Sequence, residues 1–217
     1  MFFFKPRGYV DGRDDYLIYM GRDKYENEEL IRYGLPTDAW FHVDGLSSAH
    51  VYLRLPDGVG LDDIPPDTLE DCAQLVKQNS IQGCKANDVV IVYTPWSNLR
   101  KTPSMEVGQV GFADERLRRY VKVARRSSDI LNRLERTRTE RSPDLKAEKE
   151  AYEALVRGKR RAEERAARAA DKAAKEEAKR AEELRSYKSL MASDNMVSNA
   201  ELRSKYATVE EAEDDFM

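Results

Sequence analysis

The chain has 217 residues, of which 35% are charged, and a formal net charge of −3. A chain packed throughout carries fewer charges, so we expect one globular part and one solvated part. Two cysteines, Cys72 and Cys84, are too few for a disulfide framework and fit no zinc spacing. No apolar run reaches about 18 residues, and MFFFKPRG (1–8) is too short for the apolar part of a signal peptide. We therefore expect a cytoplasmic or nuclear protein with at most peripheral membrane association.

Residues 1–125 combine strand and helix signals, which predicts a compact α+β domain. One helix is predicted to open at a capping box of Asp23 and Glu26, and a second at Asp67 and Glu70. Aromatic and aliphatic strand composition occurs at FFF (2–4), YLIYM (16–20), AWFHV (39–43), HVYLRL (50–55), NDVVIVYT (87–94), EVGQVGF (106–112) and RRYVKVA (118–124).

Residues 126–190 are predicted to be helical. The stretch 127–141 places Ile130, Leu131 and Leu134 on one helical face, enough to dock it on the domain. Pro143 interrupts this helix, and Ser142 is the predicted N-cap of the next one. The acidic segment 191–217 has the composition of a disordered tail.

The long helix from Leu145 to about Tyr187 is built from Ala, Glu, Lys and Arg and would extend roughly 60 Å. Its large apolar residues thin out after Val156, whereas a strong coiled coil needs Leu, Ile or Val at its seam. Acid–base pairs four residues apart favour a solitary helix. These pairs are Glu153/Arg157, Glu164/Arg168, Asp171/Lys175 and Glu176/Arg180. A single solvated helix and a dimeric coiled coil both remain open.

The segment WFHVDGLSSAH (40–50) contains both histidines of the chain. Alternation along a strand puts Trp40, His42 and Asp44 on one face, and His50 can approach them from the returning strand. Three interpretations follow: a structural turn, contact with a polyanion, and a catalytic or metal site. No G-x-S-x-G or H-E-x-x-H pattern supports the third interpretation.

Two further stretches indicate a polyanionic partner. VYTPWSNLRK (92–101) ends a strand with Tyr93 and Trp96 beside Arg100 and Lys101, a combination that stacks bases and holds phosphates in single-strand binders. The alternative is that both rings belong to the core. Residues 116–141 carry ten basic and three acidic residues, a net charge of +7, which favours phosphate contact over an ordinary solvated face.

Several of these segments resemble the coiled-coil domain-containing protein 25 family, and the globular part is similar to the NFACT-R domain of ribosome quality-control proteins over about residues 15–113. The resemblance is carried by GRDKYENEEL, WFHVDGLSSAHVYLR, VVIVYTPWSNLRKTPSMEVGQVGF and ILNRLERTRTER. The family elements correspond to Gly21, Arg22 and Asn27, to His42, Asp44 and Ser48–His50, and to Tyr93–Pro95, Lys101 and Gly108. Ala49 departs from the Gly-Ser-His of many bacterial domains, and we expect this difference to alter the turn.

The resemblance implies a non-enzymatic protein without a cofactor, which associates with RNA, tRNA or the ribosome, and for which DNA binding is also an expectation. We expect contacts with nucleic acid from Arg22, His42, His50, Arg54, Tyr93, Trp96, Arg100 and Lys101, joined in the basic stretch by Arg116, Arg118, Arg119, Lys122, Arg125, Arg126 and Arg133. The alternative function is structural. The helix would then assemble with a protein partner or a second copy, and the basic stretch would bind acidic protein or an anionic membrane.

Overall fold

The computed structural model describes residues 1–7, 9, 16–186, 191 and 200–201. The chain divides into two units, Met1–Leu155 and Val156–Met217. The first unit joins an antiparallel sheet to helices, and the predicted α+β class is confirmed. The predicted disordered tail at 191–217 lies almost wholly outside the described residues.

The strands of the described residues are β1 Phe2–Phe4, β2 Leu17–Met20, β3 Asp38–Val43, β4 Val51–Arg54, β5 Val89–Pro95, β6 Leu99–Arg100, β7 Gly111–Phe112, β8 Arg119–Val123 and β9 Thr139–Glu140. Seven of them form one sheet in the order β8-β5-β3-β4-β2-β1-β9, with every neighbouring pair antiparallel. A separate two-stranded ribbon joins β6 to β7.

Within residues 16–186 the α-helices are α1 Lys24–Tyr33, α2 Pro66–Gln78, α3 Ser128–Arg136 and α4 Leu145–Ser186. α2 carries one apolar stripe that includes the buried free thiol Cys72, and it packs with α3 over one face of the sheet. The predicted docking residues Leu131 and Leu134 are both buried there.

The other face of the sheet has a smaller apolar cluster around Tyr19, Trp40 and Tyr52. α1 covers this cluster with Leu30, and the ribbon contributes Leu99 and Phe112. Alternation along the strands assigns the two faces, since Phe41 and Val43 belong to the α2 cluster while Trp40 belongs to the α1 cluster. The predicted histidine face is therefore the α1 side of the sheet.

Asp23 caps α1 as predicted, by accepting bonds from the Tyr25 and Glu26 amides at 2.9 Å each. The reciprocal bond differs, because the Glu26 carboxylate accepts from the Arg22 amide rather than from that of Asp23. The capping box at Asp67 is wrong. The N-cap of α2 is Pro65, two residues before Asp67, and the helix begins with Pro66, whose fixed backbone angle suits a first helical position.

Three further predictions need correction. The strand expected over 106–112 is confined to Gly111–Phe112. The helix expected over 127–141 ends at Arg136, and Thr139–Glu140 instead pairs with Phe2–Phe3 at the edge of the sheet. The N-cap of α4 is Asp144 rather than Ser142, since its carboxylate accepts from the Ala147 amide at 3.0 Å.

α4 begins at Leu145 as predicted and has 42 described residues, and the predicted end near Tyr187 lies outside the described residues. Of the predicted pairs along it, Asp171 and Lys175 form an ion pair at 2.8 Å. Glu164 was predicted to pair with Arg168, whereas the structure pairs it with Arg160 at 3.6 Å. No helix in the described ranges is both long enough and apolar enough to cross a membrane.

Candidate nucleic-acid interface

A pocket of about 400 Å³ opens on the α1 side of the sheet, and we call it the histidine pocket. Three segments that are distant in sequence form its walls. They are the start of α1, the connection between β3 and β4, and the loop before β7. The principal lining residues are Gly21, Arg22, Lys24, Asn27, His42, Ser48, His50, Val107 and Gly108.

Trp40 holds the two histidines in place. Its indole Nε1 donates to His50 Nδ1 at 2.8 Å, and its ring stacks on His42 with a centroid distance of 5.5 Å and an interplanar angle of 3°. The two imidazoles meet edge to face at 5.0 Å. Because Nδ1 of His50 accepts a hydrogen bond, the neutral ring carries its proton on Nε2.

Both histidines are neutral near pH 7. Burial, followed by the field of His42, lowers the pKa of His50 to about 3. Burial also lowers the pKa of His42, against the opposing effect of backbone hydrogen bonds at Val43 and Ser48. The pocket is therefore lined by two neutral imidazoles rather than by two cations, which suits a nucleobase better than a phosphate.

The serine beside the histidines has backbone partners. Ser48 Oγ accepts from the Val43 amide at 3.0 Å and donates to the Ala49 carbonyl at 3.1 Å. This arrangement stabilises the β3–β4 turn, and the hydroxyl hydrogen is directed away from either imidazole. Within the described part of the chain, no group of three or more His, Cys, Asp or Glu side chains is placed to hold a metal ion.

The N-terminus of α1 forms a second wall. Asp23 occupies its free amides, so this helix end has little capacity left for an anion. Arg22 is engaged with Glu26 at 3.3 Å and with Glu140 at 3.1 Å. Lys24 is exposed and lies over the Tyr25 ring at 5.3 Å. Lys24 is thus the cation at this rim with no carboxylate partner in the described ranges.

The third wall, Val107–Gly108, is held by Lys101. Its ammonium donates to Glu28 Oε1 at 2.7 Å and to the carbonyls of Glu106 and Gln109 at 2.6 and 2.9 Å. Glu28 also accepts from the Gly108 amide at 2.5 Å. Lys101 therefore ties the loop to α1, and its three donor positions are filled without a phosphate.

Other residues predicted to contact nucleic acid have structural partners. Arg54 pairs with the buried Asp38 at 3.1 Å. Tyr93 is buried and stacks on Phe41 at 5.3 Å. Trp96 donates from Nε1 to the Leu30 carbonyl at 3.0 Å. The interpretation of both aromatic rings as part of the packed domain is therefore the one that fits their surroundings.

Six of the ten basic residues in 116–141 have a carboxylate partner, which in three cases comes from a distant part of the chain and in three from within three residues. The pairs are Arg116–Asp114, Arg118–Glu115, Arg119–Asp62, Lys122–Asp88, Arg133–Asp71 and Arg138–Glu135. The cluster is therefore less basic in three dimensions than along the sequence. Nucleic-acid contact by these residues stays a prediction.

The remaining cations of this stretch, Arg125, Arg126, Arg136 and Arg141, have no carboxylate partner among the described residues. Arg126 bonds to the neutral side chains of Gln78 and Ser128, and Arg141 lies over the Phe3 ring at 5.2 Å. Arg100 on β6 is likewise exposed. These side chains retain their charge for a polyanion.

Sequence reasoning missed several residues of this surface. Lys24 and Val107 line the pocket but have no distinctive neighbours in the sequence. Phe112 and Tyr120 lie on the same side of the sheet, and Tyr120 is 49% exposed. An aromatic residue inside the basic run RLRRYVKVARR was the available signal for Tyr120.

Known proteins match both the domain and the whole chain. The sequence model of the NFACT protein RNA binding domain family matches residues 1–114, so the match begins at residue 1 rather than near 15. Coiled-coil domain-containing protein 25 of Bos taurus is 54% identical over 184 residues, which cover 85% of this chain and 88% of the relative. The chain belongs to the coiled-coil domain-containing protein 25 family.

Other members of this family match to a similar extent. The Mus musculus protein is 56% identical over 85% of this chain and 88% of its own length, and the Danio rerio protein is 55% identical over 84% and 88%. A solved structure, the C-terminal part of the fibronectin/fibrinogen-binding protein from Streptococcus suis, aligns with a TM-score of 0.44 at 19% identity. That alignment covers 59% of this chain and 52% of the other.

Proposed function

We propose that this member of the coiled-coil domain-containing protein 25 family is a non-enzymatic RNA-binding protein whose RNA contact is centred on the histidine pocket. The observation that carries the proposal is convergence. Gly21 to Asn27, His42 to His50 and Gly108 are far apart in sequence, yet they line one pocket within the segment that matches the NFACT protein RNA binding domain.

The chemistry of the pocket supports this function. Two neutral imidazoles, held in place by the buried Trp40, and the Asn27 amide line the pocket and provide ring surface and polar groups for a base. Lys24 at the rim can meet the phosphate of the same nucleotide. Such a site binds without covalent chemistry, and the bonded Ser48 hydroxyl fits a structural role.

The test is fluorescence anisotropy of a labelled RNA with the full chain and two pocket variants. Lys24→Glu reverses the rim charge, and Val107→Trp fills the pocket from an exposed position. Each variant should weaken RNA binding by about tenfold at low salt. The control Lys172→Glu makes the same charge change on the exposed part of α4 and should have less than twofold effect. Equal effects of Lys24→Glu and Lys172→Glu would contradict a pocket-centred contact.

The proposal extends to the RNA of translation, either tRNA or ribosomal RNA. The ground for this extension is the resemblance to NFACT-R domains, from which we expect association with ribosomes. Sedimentation of the protein with ribosomes, and its release by ribonuclease, tests this extension. Affinity for a DNA strand of the same base sequence tests the DNA alternative. Equal affinity would show that the 2′-hydroxyl is not recognised.

A second candidate function is protein assembly through α4. From residue 156 to residue 186 this helix is exposed along its length and carries alanines at 162, 166, 169, 170 and 173. Small residues on one face allow two helices to approach closely. Analytical ultracentrifugation over a wide concentration range tests it. A concentration-dependent dimer supports assembly through the helix, and a monomer at all concentrations supports a solitary helix.

A further inference from the structure

A continuous series of ring and guanidinium contacts leads from the histidine pocket to the edge of the sheet. Trp40 contacts Phe112 edge to face at 5.7 Å. The Arg118 guanidinium lies over the Phe112 ring at 5.1 Å and over the Tyr120 ring at 5.7 Å. We call Trp40, Phe112, Arg118 and Tyr120 the stacking ladder.

The strand register places the ladder and the pocket on one face. His42 on β3 is paired with Val92 on β5, and Val92 is paired with Tyr120 on β8. Directly paired residues share a face, so His42 and Tyr120 both face the α1 side, two strand spacings or about 10 Å apart. Adjacent nucleotides of one strand can reach both positions.

The outer end of the ladder is open. Tyr120 is 49% exposed and lies on β8, the edge strand of the sheet. Nearby on β5, Val90 is also partly exposed. Arg118 is fixed between two rings and by an ion pair with Glu115, so its planar guanidinium is oriented before any ligand binds. A preorganised cation beside an exposed ring lowers the entropy cost of stacking a base.

We propose that the RNA bound by this protein is single-stranded, with one base in the histidine pocket and a neighbouring base stacked on Tyr120 at the end of the ladder. Unpaired bases stack with their exposed faces on aromatic rings and on guanidinium planes. Bases in a duplex stack on each other and present no free face, so the ladder discriminates against paired RNA. This inference rests on the proposed RNA-binding function.

The test uses a fluorescein-labelled, unstructured 12-nucleotide RNA and the duplex formed with its complement. Tyr120→Ala should weaken single-strand binding by about tenfold, because loss of one stacked aromatic ring typically lowers the affinity for a single strand by about that factor. Duplex binding should weaken by less than about twofold. Tyr120→Phe keeps the ring and should retain the affinity. Ile81→Ala removes an exposed apolar side chain outside the ladder, and it is the matched control.

A second readout reports stacking directly. A 2-aminopurine is placed in turn at each position of a short oligouridine, and its fluorescence should be quenched on binding at one or two positions. Tyr120→Ala should abolish the quenching at one of them. Thermal unfolding of each variant checks folding, which an exposed side chain should leave unchanged.

The outcomes separate this inference from the function on which it rests. If RNA binds and Lys24→Glu weakens it, but Tyr120→Ala has no effect on either form, the ladder is not a stacking platform and the proposed function stands. Equal loss of single-strand and duplex binding in Tyr120→Ala would also overturn the inference. If the protein binds neither form of RNA, both proposals fail.

Discussion

The histidines of the pocket act through their neutral forms. His50 is 8% exposed and accepts the Trp40 Nε1 hydrogen at Nδ1, so protonation at that nitrogen would both bury a charge and break the bond. The His-Asp-His sequence pattern thus brings two buried or half-buried imidazoles against the Trp40 ring. The sequence alone carried no information about this burial, which depends on the fold.

Acid should destabilise the protein through His50. Its folded pKa of about 3 lies below the ordinary value of 6.5, so the unfolded chain binds a proton between these values that the folded chain does not. The full contribution to stability is therefore present above pH 6.5. The free energy of unfolding decreases as the pH is lowered, by about 2 kcal/mol between pH 7 and pH 5. Urea unfolding at both pH values measures this. His50→Gln keeps an acceptor for Trp40 but does not titrate. The stability that this variant loses between pH 7 and pH 5 should therefore be smaller than that of the unchanged protein by about 2 kcal/mol. Identical losses would contradict a neutral His50.

Arg54 should matter for stability and not for RNA. It neutralises Asp38, a 1% exposed carboxylate that also accepts from Tyr19 Oη at 2.6 Å and from the Leu35 amide at 2.7 Å. Arg54→Met leaves this buried charge without its cation, so the free energy of unfolding should fall by about 3 kcal/mol. Chemical denaturation measures the loss, and Arg125→Met, at an exposed arginine, should cost less than 0.5 kcal/mol. A tenfold loss of RNA affinity in the folded Arg54→Met protein would show instead that Arg54 contacts RNA.

Among the elements, the loop between β6 and β7 depends on a single lysine. Lys101→Met removes the bonds to Glu28, Glu106 and Gln109 and frees the Val107–Gly108 wall. We expect faster amide hydrogen exchange over 102–110, RNA binding weakened by about fivefold, and a stability loss of only about 1 kcal/mol. Arg100→Met changes the adjacent exposed cation and should leave exchange in the loop unchanged. Unaltered exchange in Lys101→Met would contradict this role for Lys101.

Elements with a strong local signal were predictable. β5 is a run of buried aliphatic residues, and α3 has Leu131 and Leu134 on one face, so burial and periodicity coincide. β9 was not predictable, because Thr139–Glu140 has no apolar pattern and becomes a strand only by pairing with Phe2–Phe3. The same holds for the loop 102–110. Its composition is typical of a strand, but its conformation is fixed by the contact between Lys101 and Glu28, which are far apart in sequence.

Across the whole molecule, folding redistributes charge. The acids that pair with the basic stretch include Asp62, Asp71 and Asp88. These residues precede the stretch by dozens of positions, so a count of the charges within 116–141 does not include them. The sequence therefore shows where basic residues are concentrated along the chain but not which of these cations lack a carboxylate partner after folding. The pocket shows the converse. Its histidine wall was predictable from one hairpin, whereas its other walls required the fold.

The salt dependence of RNA binding should reflect the available cations only. A single strand loses about 0.7 log units of affinity per log unit of salt for each phosphate neutralised. If Arg125, Arg126, Arg136 and Arg141 contact phosphates, the basic stretch contributes about 3 to the slope, whereas all ten of its basic residues would contribute about 7. Anisotropy titrations between about 50 and about 300 mM salt measure the slope. The triple variant Arg125→Gln/Arg126→Gln/Arg136→Gln should lower it by about 2.

The matched control removes paired cations together with their acids, so that the net charge stays constant. Arg119→Gln with Asp62→Asn, combined with Lys122→Gln and Asp88→Asn, deletes two ion pairs of about 3 Å. Because these cations already have carboxylate partners, the slope should change by less than about 0.5. A decrease as large as that of the triple variant would mean that the ion pairs open on binding. The linear charge of the segment, rather than its folded arrangement, would then determine how strongly it binds RNA.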